Sequence, residues 1–89
     1  MKYYYNGRLV RTSKTHIYTH ALVGTSGKAV ACSSDPNRLM KEKELGIKNW
    51  ESYLKSVEAK GNTEDIEYAK AYLEKVRNWK IVEIEMREE

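Results

Sequence analysis

Cations and phenols, not carboxylates or thiols, are the reactive side chains of the first third of this chain. Lys2, Arg11 and Lys14 carry fixed positive charge. Tyr4 and Tyr18 carry rings that stack, and His20 adds an imidazole. Together these types suit the binding of phosphate and bases. No acid precedes Asp35. The first 34 residues hold five of the 16 Lys and Arg and none of the 13 Asp and Glu. That segment has a net charge of +5 and the remainder −2, giving the overall +3. A surface of one sign attracts anions or an acidic partner.

Other chemistries fit the spacing less well. His16 and His20 are four apart, about 13 Å along a strand, too far for both to hold one metal ion. Cys32 is expected on the opposite strand face from His20, which separates the two halves of a Cys-His dyad. Gly24-Thr25-Ser26-Gly27-Lys28 resembles a fragment of a phosphate loop, but its spacing is wrong and no helix follows. It reads as a hairpin turn. An enzyme is the least expected class, and nothing calls for a cofactor or metal. A single cysteine forms no internal disulfide. No stretch approaches the roughly 20 apolar residues of a membrane span, and no signal-peptide pattern opens the chain. A cytoplasmic protein that contacts no membrane is expected.

The 89 residues suit one domain. Asn6-Gly7 favours a two-residue type I′ turn, because both types tolerate positive φ. It joins strands over residues 2–5 and 8–12, placing Tyr5 opposite Arg8, Tyr4 opposite Leu9, Tyr3 opposite Val10 and Lys2 opposite Arg11. A second hairpin pairs residues 17–23 with 28–33. Asp35 then suits an N-cap and Pro36 the first helical position. Leu39, Ile47, Trp50, Leu54 and Val57 make one apolar stripe, interrupted by Gly46, so this region reads as one helix or two. Gly61-Asn62 separates it from a helix whose stripe is Ile66, Ala69, Leu73 and Val76. Trp50 and Trp79 fall at apolar positions and read as core. The pairs Glu51–Lys55 and Glu67–Lys70 read as weak surface ion pairs. A strand over residues 80–86 closes the chain, with Val82, Ile84 and Met86 inward. The expected fold class is α+β: an antiparallel sheet of two N-terminal hairpins plus a C-terminal strand, packed on one face by two or three helices.

One sheet face is then left open. Ile17, Val23 and Val30 make the better core face of the second hairpin, and Met1, Tyr3, Tyr5 and Val10 that of the first. Lys2, Tyr4, Leu9 and Arg11 then point outward, joined by Tyr18 and His20. Lys2 directly opposite Arg11 is a destabilising like-charge pair that a bound anion relieves. Lys2, Tyr4, Arg11, Lys14, Tyr18 and His20 are therefore the candidate anion- or partner-binding residues. The same cations also serve simply to solvate an open face and protect its edges.

The stretch Tyr3-Tyr4-Tyr5-Asn6-Gly7-Arg8-Leu9-Val10-Arg11-Thr12-Ser13, with Tyr18-Thr19-His20-Ala21 and the Gly27–Cys32 segment after it, resembles short accessory proteins of phages and prophages. The resemblance covers about the first 35 residues. It implies a context in which such proteins bind a host factor, some of them blocking defence systems in the anti-CRISPR manner. Three functions follow as expectations. The first is a non-enzymatic phage-type binding protein that engages a nucleic-acid- or nucleotide-related host component through the basic, Tyr-rich sheet face. The second is direct nucleic-acid binding. The third is an oligomeric sponge for a nucleotide signal.

Overall fold

The structure is a computed structural model that describes residues 1–88. Strands β1 (Lys2–Tyr5) and β2 (Arg8–Thr12) form the first hairpin. Its turn holds Asn6 at φ 51° and Gly7 at φ 76°, the left-handed pair that this turn type requires. Strands β3 (His20–Val23) and β4 (Ala29–Ser33) form the second. Helix α1 (Pro36–Lys60) and helix α2 (Thr63–Arg77) follow, then β5 (Lys80–Glu83) and β6 (Glu85–Arg87).

The class is α+β, but the strands make two three-stranded antiparallel sheets instead of one. Their orders are β2-β1-β6 and β4-β3-β5. The expected single C-terminal strand is split at Ile84, where the chain leaves β3 for β1. The Ile84 amide donates to the Thr19 carbonyl at 3.0 Å, so the switch is itself tied down. Met86 ends up exposed, contrary to expectation, because it lies beyond this switch.

Each hairpin also carries one extra residue in its second strand. In the first, Tyr5 faces Arg8 and Tyr4 faces Leu9 as expected, but Tyr3 then faces Arg11 and Lys2 faces Thr12. Val10 is the bulged residue. In the second, Leu22 faces Ala31 and Val23 faces Ala29, which makes Val30 the bulge. A bulge reverses the side on which every later residue falls. The expected core role of Val30 fails for this reason, and Val30 is exposed. Ile17 is exposed too, because β3 starts only at His20 and Ile17 belongs to the preceding loop. Ala21, Leu22 and Val23 are all buried, so β3 is covered on both sides.

Helix α1 runs unbroken through Gly46. The glycine is there for packing. A Cβ at this position would stand 3.0 Å from Val76 Cγ1 and 3.1 Å from Trp79 Cζ3. Trp79 also lies against Gly24, so it wedges together α1, α2 and the β3–β4 turn. The N-cap of α1 is Asp35, which accepts from the Asn37 amide at 2.9 Å. Gly61, at φ 72°, terminates the helix. Asn62 caps α2 by accepting from the Glu64 and Asp65 amides. The N-terminal part of the helical hairpin packs on β3, β4 and β5 through α1, whereas α2 packs chiefly along α1. The helices therefore do not cover one sheet face as a layer, and the molecule is elongated, 52 × 22 × 18 Å. No helix of the described residues is long and apolar enough to cross a membrane.

Candidate anion-binding surface

The bulge at Val10 divides the expected site. Residues in register share a face, so Lys2, Tyr4, Leu9 and Thr12 lie on one side of the first sheet with Glu85 and Arg87. Tyr3, Tyr5, Arg8 and Arg11 lie on the other with Met86. Lys2 and Arg11 thus occupy opposite faces, and the cation that faces Lys2 is Arg87.

The Lys2 face is partly neutralised. Arg87 lies 4.4 Å over the Tyr4 ring and donates to the Glu85 carboxylate at 3.3 Å. Glu85 is the only acid that β1, β2 and β6 carry, and it stands on this face.

The Arg11 face is built differently. Tyr3 is fully buried beneath the loop of residues 13–19 and anchors it. Its hydroxyl donates to the His16 carbonyl at 3.0 Å and accepts from the Tyr18 amide at 3.1 Å. The Ser13 side chain accepts from the His16 amide at 3.0 Å, closing a turn within the loop. Tyr18, expected to point outward with His20, is half-buried and packs edge-on against Tyr3, with ring centroids 5.3 Å apart. His16 lies parallel to Tyr18 at 6.0 Å, and the Arg11 guanidinium sits 5.9 Å from the Tyr18 ring centre. Lys14 is exposed in the same loop. Arg8 reaches across to the second hairpin and donates to the Ser26 carbonyl at 3.1 Å. Among the described residues, no carboxylate lies within ion-pair distance of Arg8, Arg11 or Lys14.

His20 is separate from both groups. It sits on β3, in register with Ser33 and Glu83, and its Nδ1 is 2.7 Å from the Thr19 hydroxyl. Of the six candidates, then, the fold brings together Arg11 and Tyr18, and Lys14 is exposed in the loop that carries Tyr18. Lys2 and Tyr4 form a second group, and His20 stands apart. Arg8 and His16 belong to the Arg11 group although neither was among the candidates. Their signals were present: Arg8 flanks the Asn-Gly turn and so lies near the hairpin tip, and His16 is two residues from Tyr18 in a loop of fixed shape.

The helical hairpin carries a second unexpected cluster. Trp50, expected in the core, is only half-buried and stacks on Tyr72 at 4.8 Å, with Tyr53 and Tyr68 edge-on to it. Lys75 Nζ lies 4.8 Å from the centre of the Tyr72 ring. Hydrogen bonding with the Tyr72 hydroxyl raises the Tyr68 phenol above its ordinary pKa of 10.0. Among the described residues neither Glu51 nor Glu67 forms its expected intrahelical pair, and Glu51 instead reaches Arg77 on α2 at 3.7 Å.

Among the described residues there is no group of three or more metal-ligating side chains. No protein-family model, curated protein or solved structure matches the chain.

Proposed function

We propose that this is a non-enzymatic binding protein that holds a phosphate-bearing partner against the Arg8–Arg11 face of its first sheet. A nucleic-acid strand, or a host component that carries one, is the partner that suits this surface. The observation that carries the reading is the charge of that face. Arg11 and His16 lie against the Tyr18 ring, Arg8 shares the Arg11 face, Lys14 is exposed in the adjoining loop, and Glu85, the acid that the three strands of this sheet carry, lies on the reverse side. Fixed cations without carboxylate partners favour a polyanion over a neutral ligand. The resemblance of the first 35 residues to phage accessory proteins is the reason to seek the partner in a host cell.

Fluorescence anisotropy with a labelled single-stranded oligonucleotide tests this. Arg8, Arg11 and Lys14 neutralise three phosphates, which gives a salt slope of about −2 and an affinity loss of about 20-fold between about 50 and 200 mM salt. The double variant Arg11→Glu, Lys14→Glu should abolish binding while its circular dichroism stays unchanged. No binding at low salt, or equal binding by the double variant, would refute the reading.

A further inference from the structure

The tips of the two hairpins enclose a cleft of about 450 Å³ that the sheet face alone does not explain. Asn6 and Tyr5 form one wall, the Gly24–Gly27 turn forms the other, and Lys80 stands at the start of β5 between them. We propose that this cleft is a mononucleotide site. Its phosphate would be taken by Lys80, Arg8 and the Thr25–Ser26 turn, and its ring by Tyr5. The inference rests on the reading of this face as a phosphate-binding surface and gives that surface a defined end point.

Four observations carry it. The first is charge. The cleft lining contains Lys80 and no Asp or Glu, and Arg8 is tied to its rim through the Ser26 carbonyl. That bond uses one of the five N–H donors of the guanidinium and leaves the rest for an anion. The approach is close, since a Cβ on Gly27 would lie 3.6 Å from Arg8 Nη1.

The second is the turn. It closes through the Gly27 amide donating to the Gly24 carbonyl at 3.0 Å, and the Gly24 amide donates to the Lys28 carbonyl. The two central amides, of Thr25 and Ser26, lie outside these bonds. Successive turn amides with flanking hydroxyls form a concavity that binds anions.

The third is the ring. Tyr5 is half-buried against the cleft, and no aromatic partner stacks on it among the described residues. A base stacks on such a ring whatever its identity, because every base has a π-face.

The fourth is contrast. A second depression that also touches Tyr5 and Asn6 is lined by Glu83 and Glu85, whereas the cleft lining holds no acid. The acids therefore stand in the neighbouring depression and leave the cleft to the cation. The volume falls within the ordinary range for small-ligand sites, about 300–1,000 Å³.

The test is titration of the full chain with adenosine 5′-monophosphate, followed by amide chemical shifts, with adenosine and inorganic phosphate as separate probes. Shifts confined to residues 5–8, 24–28 and 80, tighter for the nucleotide than for either fragment, are expected. Lys80→Gln and Tyr5→Leu should each weaken nucleotide binding about tenfold. Arg11→Glu should leave it in place while it lowers oligonucleotide affinity, so the cleft and the strand-binding face fail separately. Absence of shifts in the turn would overturn the site. Equal affinity for nucleotide and inorganic phosphate would overturn the role of Tyr5. Retention of binding in Lys80→Gln, with its amide spectrum otherwise native, would also overturn the proposal.

Discussion

Replacing Tyr3 with Phe removes one oxygen atom and tests how the basic surface is held. The ring stays, so the apolar packing of this fully buried side chain is kept. Two hydrogen bonds are lost, one donated to the His16 carbonyl at 3.0 Å and one accepted from the Tyr18 amide at 3.1 Å. Each such bond is worth about 0.5–1.5 kcal/mol net, and an orphaned buried group costs about 1–3 kcal/mol. The loop partners, His16 and Tyr18, are not fully buried, so water recovers some of this, and the expected loss is about 2 kcal/mol. A domain of this size shifts its melting midpoint by about 4–8 °C per kcal/mol, so a drop of about 8–16 °C is expected. The loss should also be local. Amide exchange at Tyr18 should accelerate well beyond that at Leu22, because the loop loses its anchor while β3 keeps its ladder. Thermal melting by circular dichroism gives the first number and hydrogen exchange the second. An unchanged midpoint together with unchanged Tyr18 exchange would show that the hydroxyl does not fasten the loop, and the ordering of His16 and Arg11 would need another cause.

Three further outcomes follow from the fold. Gly46→Leu should destabilise by about 1–3 kcal/mol, because the new side chain meets Val76 and Trp79; if Gly46 were only a weak point in the helix, the same change would stabilise by about 1 kcal/mol in a denaturant melt. Asn62→Ala should cost about 1 kcal/mol and fray the start of α2, seen as faster exchange at the Glu64 and Asp65 amides. Ultraviolet titration should find Tyr68 ionising above 10.0, and Tyr72→Phe should bring it back toward that value. The sign follows from the raised pKa: this contribution to stability is complete below pH 10.0 and is lost as pH rises through the folded-state pKa.

What was legible in the chain was what neighbours in sequence decide. The Asn6-Gly7 turn, the Asp35 cap and the Gly61 stop follow from local conformational preference and are present, and of the expected stripes Leu39 and Val57 in α1 and Ala69, Leu73 and Val76 in α2 are buried. What distant partners decide was not legible. Val10 and Val30 look like ordinary strand residues, and nothing in their type signals a bulge. Yet one of these bulges moves Arg11 to the side opposite Lys2 and so divides the candidate surface. Gly46 has the composition of a helix break, and only its contacts with Val76 and Trp79 reveal it as a packing position. The grouping of Arg11 with Tyr18 emerged because the loop of residues 13–19 returns Tyr18 over Tyr3. The Arg8–Lys80 cleft joins residues more than seventy positions apart and depends on the chain passing between β3 and β1.

That passage has a consequence for how the protein is made. During synthesis both hairpins and both helices emerge before residues 80–87, and each hairpin until then is a two-stranded ribbon, which is marginally stable by itself. One short stretch supplies the missing strand to both sheets. Completion is therefore a late and long-range closure, the slow kind of folding step. A chain stopped at Asn78 would lack the third strand of both sheets at once.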